Sequence, residues 1–419
     1  MKYYIITLFL FGTTFLFAQT NTALLYLNDN SVNGIQATGN LASGQYSIAI
    51  GHENQATGFG SISLASSSVS SGIVSVAIGD RVTASGDYGS TAFGLQTTAS
   101  GNSSFAGGEN TTSSGAYSFA FGLNSTASGD VSIALGNGVV SSGNNSFASG
   151  IGTNAIGSFS TAMGINSSAN GQGSTAMGSS TVASGLDSTA MGFDSEATGD
   201  RSTAMGENTI ASGVTSLSTG FQTESTGPYS ATFGVNSVAQ GNTSAAMGYG
   251  TIASDYGSLV IGVNNLMGST LTSNANNINL DNTAFVIGNG ADANSRNDAL
   301  VVKFDGTTTI SGDLNVNSDA RLKANIISLG ATLSKVLQID GKSYTMKKDK
   351  NDKQKIGLLA QDIEKVFPEL VSESNGIKSV NYQGIVPILI NALKEQDEKM
   401  KVQQTQIDKL ENLVQELIK

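Results

Sequence analysis

Ser188-Thr189-Ala190-Met191-Gly192 is followed fourteen residues later by Ser202-Thr203-Ala204-Met205-Gly206. At the same interval it is preceded by Ser174-Thr175-Ala176-Met177-Gly178. The period holds outward in both directions. Repeats begin at 44, 58 and 72, at 87 after a one-residue insertion, and then at 101, 115, 129, 143, 157, 171, 185, 199, 213, 227, 241 and 255, which makes sixteen coils. A fixed period of this size predicts stacked units, each burying its apolar face only against its neighbours. With strands ~4.8 Å apart, sixteen coils predict a rod of roughly 75 Å.

Three columns of the repeat stand out. Position four is Ser in all sixteen coils, position eight is Gly in fifteen with Ala65 the exception, and position six is mostly Ala. Their alternation with positions five and seven predicts a strand. Positions five and seven trade volume. Phe105, Phe147 and Leu217 at five accompany Gly107, Ser149 and Thr219 at seven, whereas Thr161, Thr175, Thr189 and Thr203 accompany Met163, Met177, Met191 and Met205. This compensation predicts that five and seven fill one space, the coil interior. The Ser/Ala/Gly columns then form an outward strip along which a second solenoid can pack. The stacked threonines, read as interior, do not make an ice-binding face.

Composition sets the broad class. The 419 residues include 51 Gly, no Cys, no Trp and one His. Residues 1–317 carry 5 Lys+Arg against 18 Asp+Glu, and residues 318–419 carry 16 against 14, so the halves have net charges of −13 and +2. This divides the chain into two physically different parts near 317. No basic patch invites nucleic acid. Lys2 followed by the apolar run Tyr3–Phe17 and then Ala18 predicts a signal peptide over 1–18, hence a secreted, extracellular or cell-surface protein. No later apolar run reaches ~18 residues, so no membrane-spanning helix is expected. Without Cys there is no disulfide framework.

Most enzymatic chemistry is disfavoured. Glu53, Glu109, Asp187, Asp194, Glu196 and Glu207 are scattered over variable positions rather than clustered as a glycosidase requires. His52 is solitary, which argues against histidine metal sites and a Ser-His-Asp triad. No cofactor and no metal is expected.

The segments Tyr46-Ser47-Ile48-Ala49-Ile50-Gly51, Val74-Ser75-Val76-Ala77-Ile78-Gly79 and Ala84-Ser85-Gly86 resemble the head repeats of YadA-like trimeric autotransporter adhesins, over about residues 30–262. The resemblance implies a left-handed parallel β-roll, three chains side by side and a role in surface attachment. That family ends in a membrane-embedded β-barrel, which residues 318–419 do not resemble, so outer-membrane anchoring by this C-terminus is not expected. Residues 19–43 read as a lead-in with a partial repeat, 44–262 as the β-roll, and 263–317 as a β-rich neck. In the neck, Asn274 to Asn282 reads as loop. Val301-Val302-Lys303-Phe304, Asp305-Gly306 and Thr307-Thr308-Thr309-Ile310 read as a hairpin.

The last hundred residues change character. Ser318-Asp319-Ala320-Arg321-Leu322-Lys323 opens them. The segment from Gly357-Leu358-Leu359-Ala360-Gln361-Asp362 to Pro368 predicts an amphipathic helix. Val380-Asn381-Tyr382-Gln383-Gly384 leads into a long helix with Pro387 in its first turn. Read from the residues alone, Ser-Asp before Ala-Arg-Leu-Lys is an ordinary helix N-cap with solvated basic side chains.

These three segments, in this order, resemble the intramolecular chaperone domain of endosialidases and phage tail spikes, a self-cleaving serine peptidase, over 318–419. The resemblance implies trimerisation followed by cleavage of the Asn317–Ser318 bond, with Ser318 as nucleophile, Lys323 as base, and Asp319 and Arg321 as orienting groups. A Ser–Lys pair can work without histidine, provided the amine is desolvated, because an exposed amine with a pKa near ~10.4 stays protonated. A five-residue spacing does not place both groups on one helix face, so the chain must bend between them or a trimer must complete the site.

The seam Val386, Leu389, Leu393, Gln396, Met400, Gln403, Ile407, Leu410, Val414 and Leu417 predicts a coiled coil over about 386–419. Its core residues leave dimer and trimer open, and both resemblances imply the trimer. The whole chain therefore reads as a mainly β, homotrimeric fibre that engages an unidentified receptor, glycan or matrix ligand and cuts only itself. A permanent, uncut coiled-coil cap and a carbohydrate-active spike are the alternatives.

Overall fold

A computed structural model describes residues 26–28, 34–36, 39–270, 274–347 and 352–418. The expected signal peptide lies outside them. The chain forms two compact units that divide at Leu314 and Asn315.

In the first unit each coil supplies a five-residue and a two-residue strand, such as Thr189–Phe193 and Glu196–Ala197. Long strands stack on long strands in parallel register, with Thr189 opposite Thr203 and Met191 opposite Met205. Short strands stack likewise, with Glu196 opposite Ile210. The product is a parallel β-solenoid with sheets of 21 and 16 strands. The ends are finished differently. Leu41–Ala42 stacks beneath Gln55–Ala56, so coil structure begins just before the first full repeat. Thr283–Asn289 adds a final parallel rung on Leu259–Val263, after the Asn-rich excursion. Asp298–Lys303 and Thr308–Ile310 then run antiparallel and close the end with the hairpin expected at Asp305-Gly306.

The faces of the strands are opposite to the sequence expectation. Ser188, Ala190, Ser202 and Ala204 are fully buried, as are Ala197 and Ala211 in the short strands and Ser195 and Thr209 just before them. Positions five and seven point out of the roll: Phe93, Phe121 and Phe119 are 52%, 49% and 36% exposed. The Ser/Ala columns are therefore the interior and not an outer strip. The reason is size: the buried columns of the coils hold small side chains, Ser, Ala, Thr and Val with an Asn at position 54. Volume compensation between five and seven is real, but it operates on the outer face. A Cβ on Gly107 would lie 2.8 Å from the Phe121 ring and 2.9 Å from that of Phe105, so the missing side chain makes room for both. Phe105 in turn stacks on Phe119, centroids 4.8 Å apart. The Thr161, Thr175, Thr189 and Thr203 column lies on this outer face too, partly exposed.

Two columns hold the coil closed. The position-four backbone amide donates back to the carbonyl of the turn glycine, as from Ser160 to Gly157 at 3.1 Å and from Ser188 to Gly185 at 3.2 Å, and in some coils the hydroxyl does so too, as from Ser118 to Gly115 at 2.6 Å and from Ser174 to Gly171 at 2.7 Å. The position-eight glycine takes positive φ, +114° at Gly192, and any Cβ there would lie 2.0 Å from the Gly206 carbonyl oxygen. Stacking at that point leaves no room for a side chain.

The inserted residue is also placed. Gly86, and not Asp87, occupies the turn-glycine column, since a Cβ on Gly72 would lie 1.9 Å from its carbonyl oxygen. The Gly89 amide donates to Ile73 and the Asp87 carbonyl accepts from Ser103, which leaves Tyr88 as the extra residue.

This face assignment predicts opposite responses at adjacent residues. Ala190→Leu should overfill the interior and destabilise by about 1–3 kcal/mol or more. Met191→Thr, which installs the residue found at Thr219, should leave the coil folded with little change in melting. Equal melting temperatures for the two variants would refute the assignment.

Candidate active site

The second unit packs around Ile363, Phe367, Leu370 and Ile388, all buried. Helix α1 (Leu333–Val336) is short, α2 (Ala360–Val366) ends before Pro368, and α3 (Ile385–Ile418) runs 34 residues. A hairpin of Val371–Ser374 with Ile377–Val380 covers α2. The middle helix and the long helix lie where their sequence patterns place them.

Helix α3 has two apolar faces with different fates. Ile388 and Ala392 are buried, and α1 packs against this helix. Glu395 reaches back from α3 to the start of α1, where its carboxylate accepts from the backbone amides of Thr332 and Leu333. The Thr332 hydroxyl donates to the Ile388 carbonyl at 2.9 Å. The amide of Thr332, then burial acting the other way, then the amide of Leu333 leave the Glu395 carboxyl below its ordinary range. The other face carries the seam. Val386, Leu393, Met400, Leu410 and Leu417 are 55%, 71%, 58%, 60% and 86% exposed, so this chain alone leaves the seam uncovered.

The segment 318–323 builds its geometry locally. Ala320–Leu322 forms one turn of 3-10 helix, and Asp319 is its N-cap: Oδ1 accepts from the Arg321 amide at 2.9 Å. The same carboxylate grips the Arg321 guanidinium through Nε at 3.1 Å and Nη2 at 2.6 Å. That grip, with the capping amide second, holds the Asp319 carboxyl below its usual range and raises Arg321. The turn supplies the bend that the five-residue spacing needs. Lys323 leaves it in extended conformation, and its Nζ donates to Ser318 Oγ at 2.7 Å. The cap and the Ser–Lys contact thus coexist, with Asp319 rather than Ser318 as the capping residue. Residues 311–331 are all exposed in the single chain.

The sequence patterns used above did not single out Glu395 or Thr332, which lie 63 residues apart. A Thr ahead of a short apolar stretch was the available signal, and nothing in the chain between them indicated its partner. The Tyr382 hydroxyl accepts from the Leu358 amide at 2.9 Å and ties the entry of α3 to the segment just before α2.

Residues 318–372 match the family model described as chaperone of endosialidase. Nine overlapping or successive segments between 42 and 265 match the model of the YadA head domain repeat. The first unit is thus similar to YadA head repeats, and the start of the second to an endosialidase chaperone. Among curated proteins it is similar to long tail fiber protein Gp37 of Salmonella phage S16, 31% identical over 117 residues, covering 26% of this chain and 16% of that fibre. Gp37 of Escherichia phage AR1 is 30% identical over 105 residues, covering 23% and 10%. Gp37 of Enterobacteria phage M1 is 31% identical over 112 residues, covering 23% and 45%. The match therefore spans less than half the length of each of these fibres. Among the described residues no helix is long and apolar enough to cross a membrane.

The Glu395 contact makes a pH prediction. Its carboxyl is depressed in the folded chain, so its contribution is full above the ordinary carboxylate range and is lost as pH falls through the lowered value. In a Ser318→Ala background, Glu395→Gln should melt below its parent at pH 7, and the gap should close on acidification towards pH 3. A gap independent of pH would show that the carboxylate charge is irrelevant there.

Proposed function

We propose that the chain is an extracellular, homotrimeric attachment fibre whose domain 318–419 aligns three chains and then cuts the Asn317–Ser318 bond. The observation that carries the catalytic part is the 2.7 Å contact from Lys323 Nζ to Ser318 Oγ. Similarity to tail fibres and YadA head repeats supports the fibre. Two uncovered surfaces support self-association: the seam of α3 and the apolar outer face of the long strands, with Phe93, Phe121 and Phe233 exposed. Burial of such faces against like faces is the usual reason for a solenoid chain to associate.

In the proposed reaction Lys323, neutral once shielded from water, takes the Ser318 hydroxyl proton as Oγ attacks the Asn317 carbonyl carbon. The tetrahedral intermediate collapses with cleavage of the Asn317–Ser318 C–N bond, and the lysine returns the proton to the departing nitrogen of Ser318. The product is an ester of the Asn317 carboxyl on Ser318 Oγ. Water then attacks that ester, releasing an Asn317 carboxylate and a free Ser318 hydroxyl. Asp319 and Arg321 act as positioning residues by fixing the turn that brings nucleophile and base together. The site is open in one chain, and a buried amine is what the base role demands. Assembly therefore precedes cleavage, with neighbouring chains as the cover.

Wild-type protein should yield a tail of 102 residues, 318–419, whose N-terminal sequence begins Ser-Asp-Ala-Arg. Ser318→Ala and Lys323→Ala should each stay full length and still assemble. A wild-type chain that remains intact by denaturing mass measurement after complete folding would leave the domain as a permanent cap.

Assembly has its own test. Sedimentation equilibrium of residues 19–419 bearing Ser318→Ala should report three chains, and Leu393→Asp with Met400→Asp should shift it towards monomer. A stable wild-type monomer at micromolar concentration would overturn the trimer.

A further inference from the structure

The stretch that follows the Ser–Lys pair is apolar, and nothing in its own chain holds it. Residues 326–331 run without helix, turn or bend. Leu322, Ile326, Ile327 and Leu329 are 71%, 66%, 86% and 53% exposed. Among the described residues, no backbone amide or carbonyl of 324–329 takes part in a hydrogen bond. An unbent run of β-branched and aliphatic residues with free backbone groups is what an open sheet edge takes up as an added strand.

A sheet that is one strand short lies in the same unit. Lys342–Tyr344 and Lys355–Gly357 pair with each other and with no other strand. A lone two-stranded hairpin is marginal in water, and a third strand or a packed face is what makes it stable. Ile356, at the middle of the second strand, is 88% exposed, so neither remedy reaches it within one chain. The chain's own 326–329 is not paired with this hairpin.

We infer that residues 326–329 add as a third strand to the hairpin 342–357 of a second copy of this chain, and that this clasp covers Lys323. The occupant is another copy for two reasons. A chain that cuts only itself needs no other molecule to complete its site, and the uncovered seam of α3 already calls for like chains. The clasp begins three residues after Lys323, so docking there brings an apolar hairpin over the amine and excludes water from it. Ile326 and Ile327 are thus positioning residues that act through the cover they recruit. This rests on the reading of 318–419 as a self-cleaving assembly domain.

Two altered chains separate pairing between copies from pairing within one. The first carries Ile326→Asp with Ile327→Asp and spoils the added strand; the second carries Ile356→Asp and spoils the receiving hairpin. All three sites are exposed in the single chain, so both variants should fold, and the α3 seam should still gather three chains. Refolded alone, each should be cut about 100-fold more slowly than wild type, the usual worth of a positioned base. Refolded together, the second chain should be cut and the first should not, because only the second has a strand that can dock on an intact hairpin. Cleavage of either variant at the wild-type rate, or a mixture in which neither chain is cut, would overturn the clasp. A wild type that stays whole sinks the self-cleavage reading, and hydrogen exchange then decides the clasp by itself. In Ser318→Ala assemblies the Ile326 and Ile327 amides should exchange slowly, and Leu393→Asp with Met400→Asp should remove that protection. Rapid exchange of both amides in the intact assembly would refute the pairing.

Discussion

The buried columns of the coils hold small side chains, and the rest of the rod depends on that constraint. It fixes Ser188 and Ala190, at the long strand, and Ser195 and Ala197, at the short one, as fully buried columns. It also forces every large apolar residue of the long strands to the outside. A solenoid built this way gains little from hydrophobic burial within one coil. Its cohesion comes from in-register backbone pairing between coils and from the turn bond of each position-four amide to the turn-glycine carbonyl, as from Ser188 to Gly185. Glycine at position eight is the counterpart of the same closeness, since the next coil's carbonyl occupies the place of its Cβ.

Displacing the large residues outward leaves apolar side chains uncovered on the single chain. Phe93, Phe121 and Phe233 on the rod are exposed in one chain, and the same is true of Leu393, Met400 and Leu410 on the long helix. Each unit of the protein thus presents an uncovered apolar face of its own, one formed at strand period and one at helix period. The helix keeps its two roles apart by rotation. Ile388 and Ala392 face inward, where Glu395 and Thr332 fasten α1 to it, while the seam residues lie on another side.

At the start of the second unit a single carboxylate organises a short, exposed segment. Asp319 caps one turn of 3-10 helix and grips Arg321, and the bend so made lets Lys323 reach Ser318. No buried scaffold is required for that contact, which suits a site that takes shape early and is covered later. The chemistry proposed for it depends on the cover, because only exclusion of water favours the neutral amine.

The strand pairing, the sixteen coils, the hairpin at Asp305-Gly306 and the long terminal helix were all legible in the sequence, because each rests on a local period or turn signal. The Ser–Lys pair was legible only through its resemblance to a family; its residues alone read as a helix cap. What the sequence could not decide was which side of each strand is inside. Alternation separates two faces without naming them, and volume trading between positions five and seven is the same whether the shared space is a core or an outer surface. The spacing between the sheets, a property of the closed coil, made that choice in favour of Ser and Ala. Likewise the insertion was visible as a break in the count, but only the coil-to-coil hydrogen bonds of Ile73 with Gly89 and of Asp87 with Ser103 identified Tyr88 as the extra residue. The pairing of Glu395 with Thr332 lay beyond the sequence for a related reason: partners 63 residues apart share no local pattern, and only the packing of α1 on α3 brings them together.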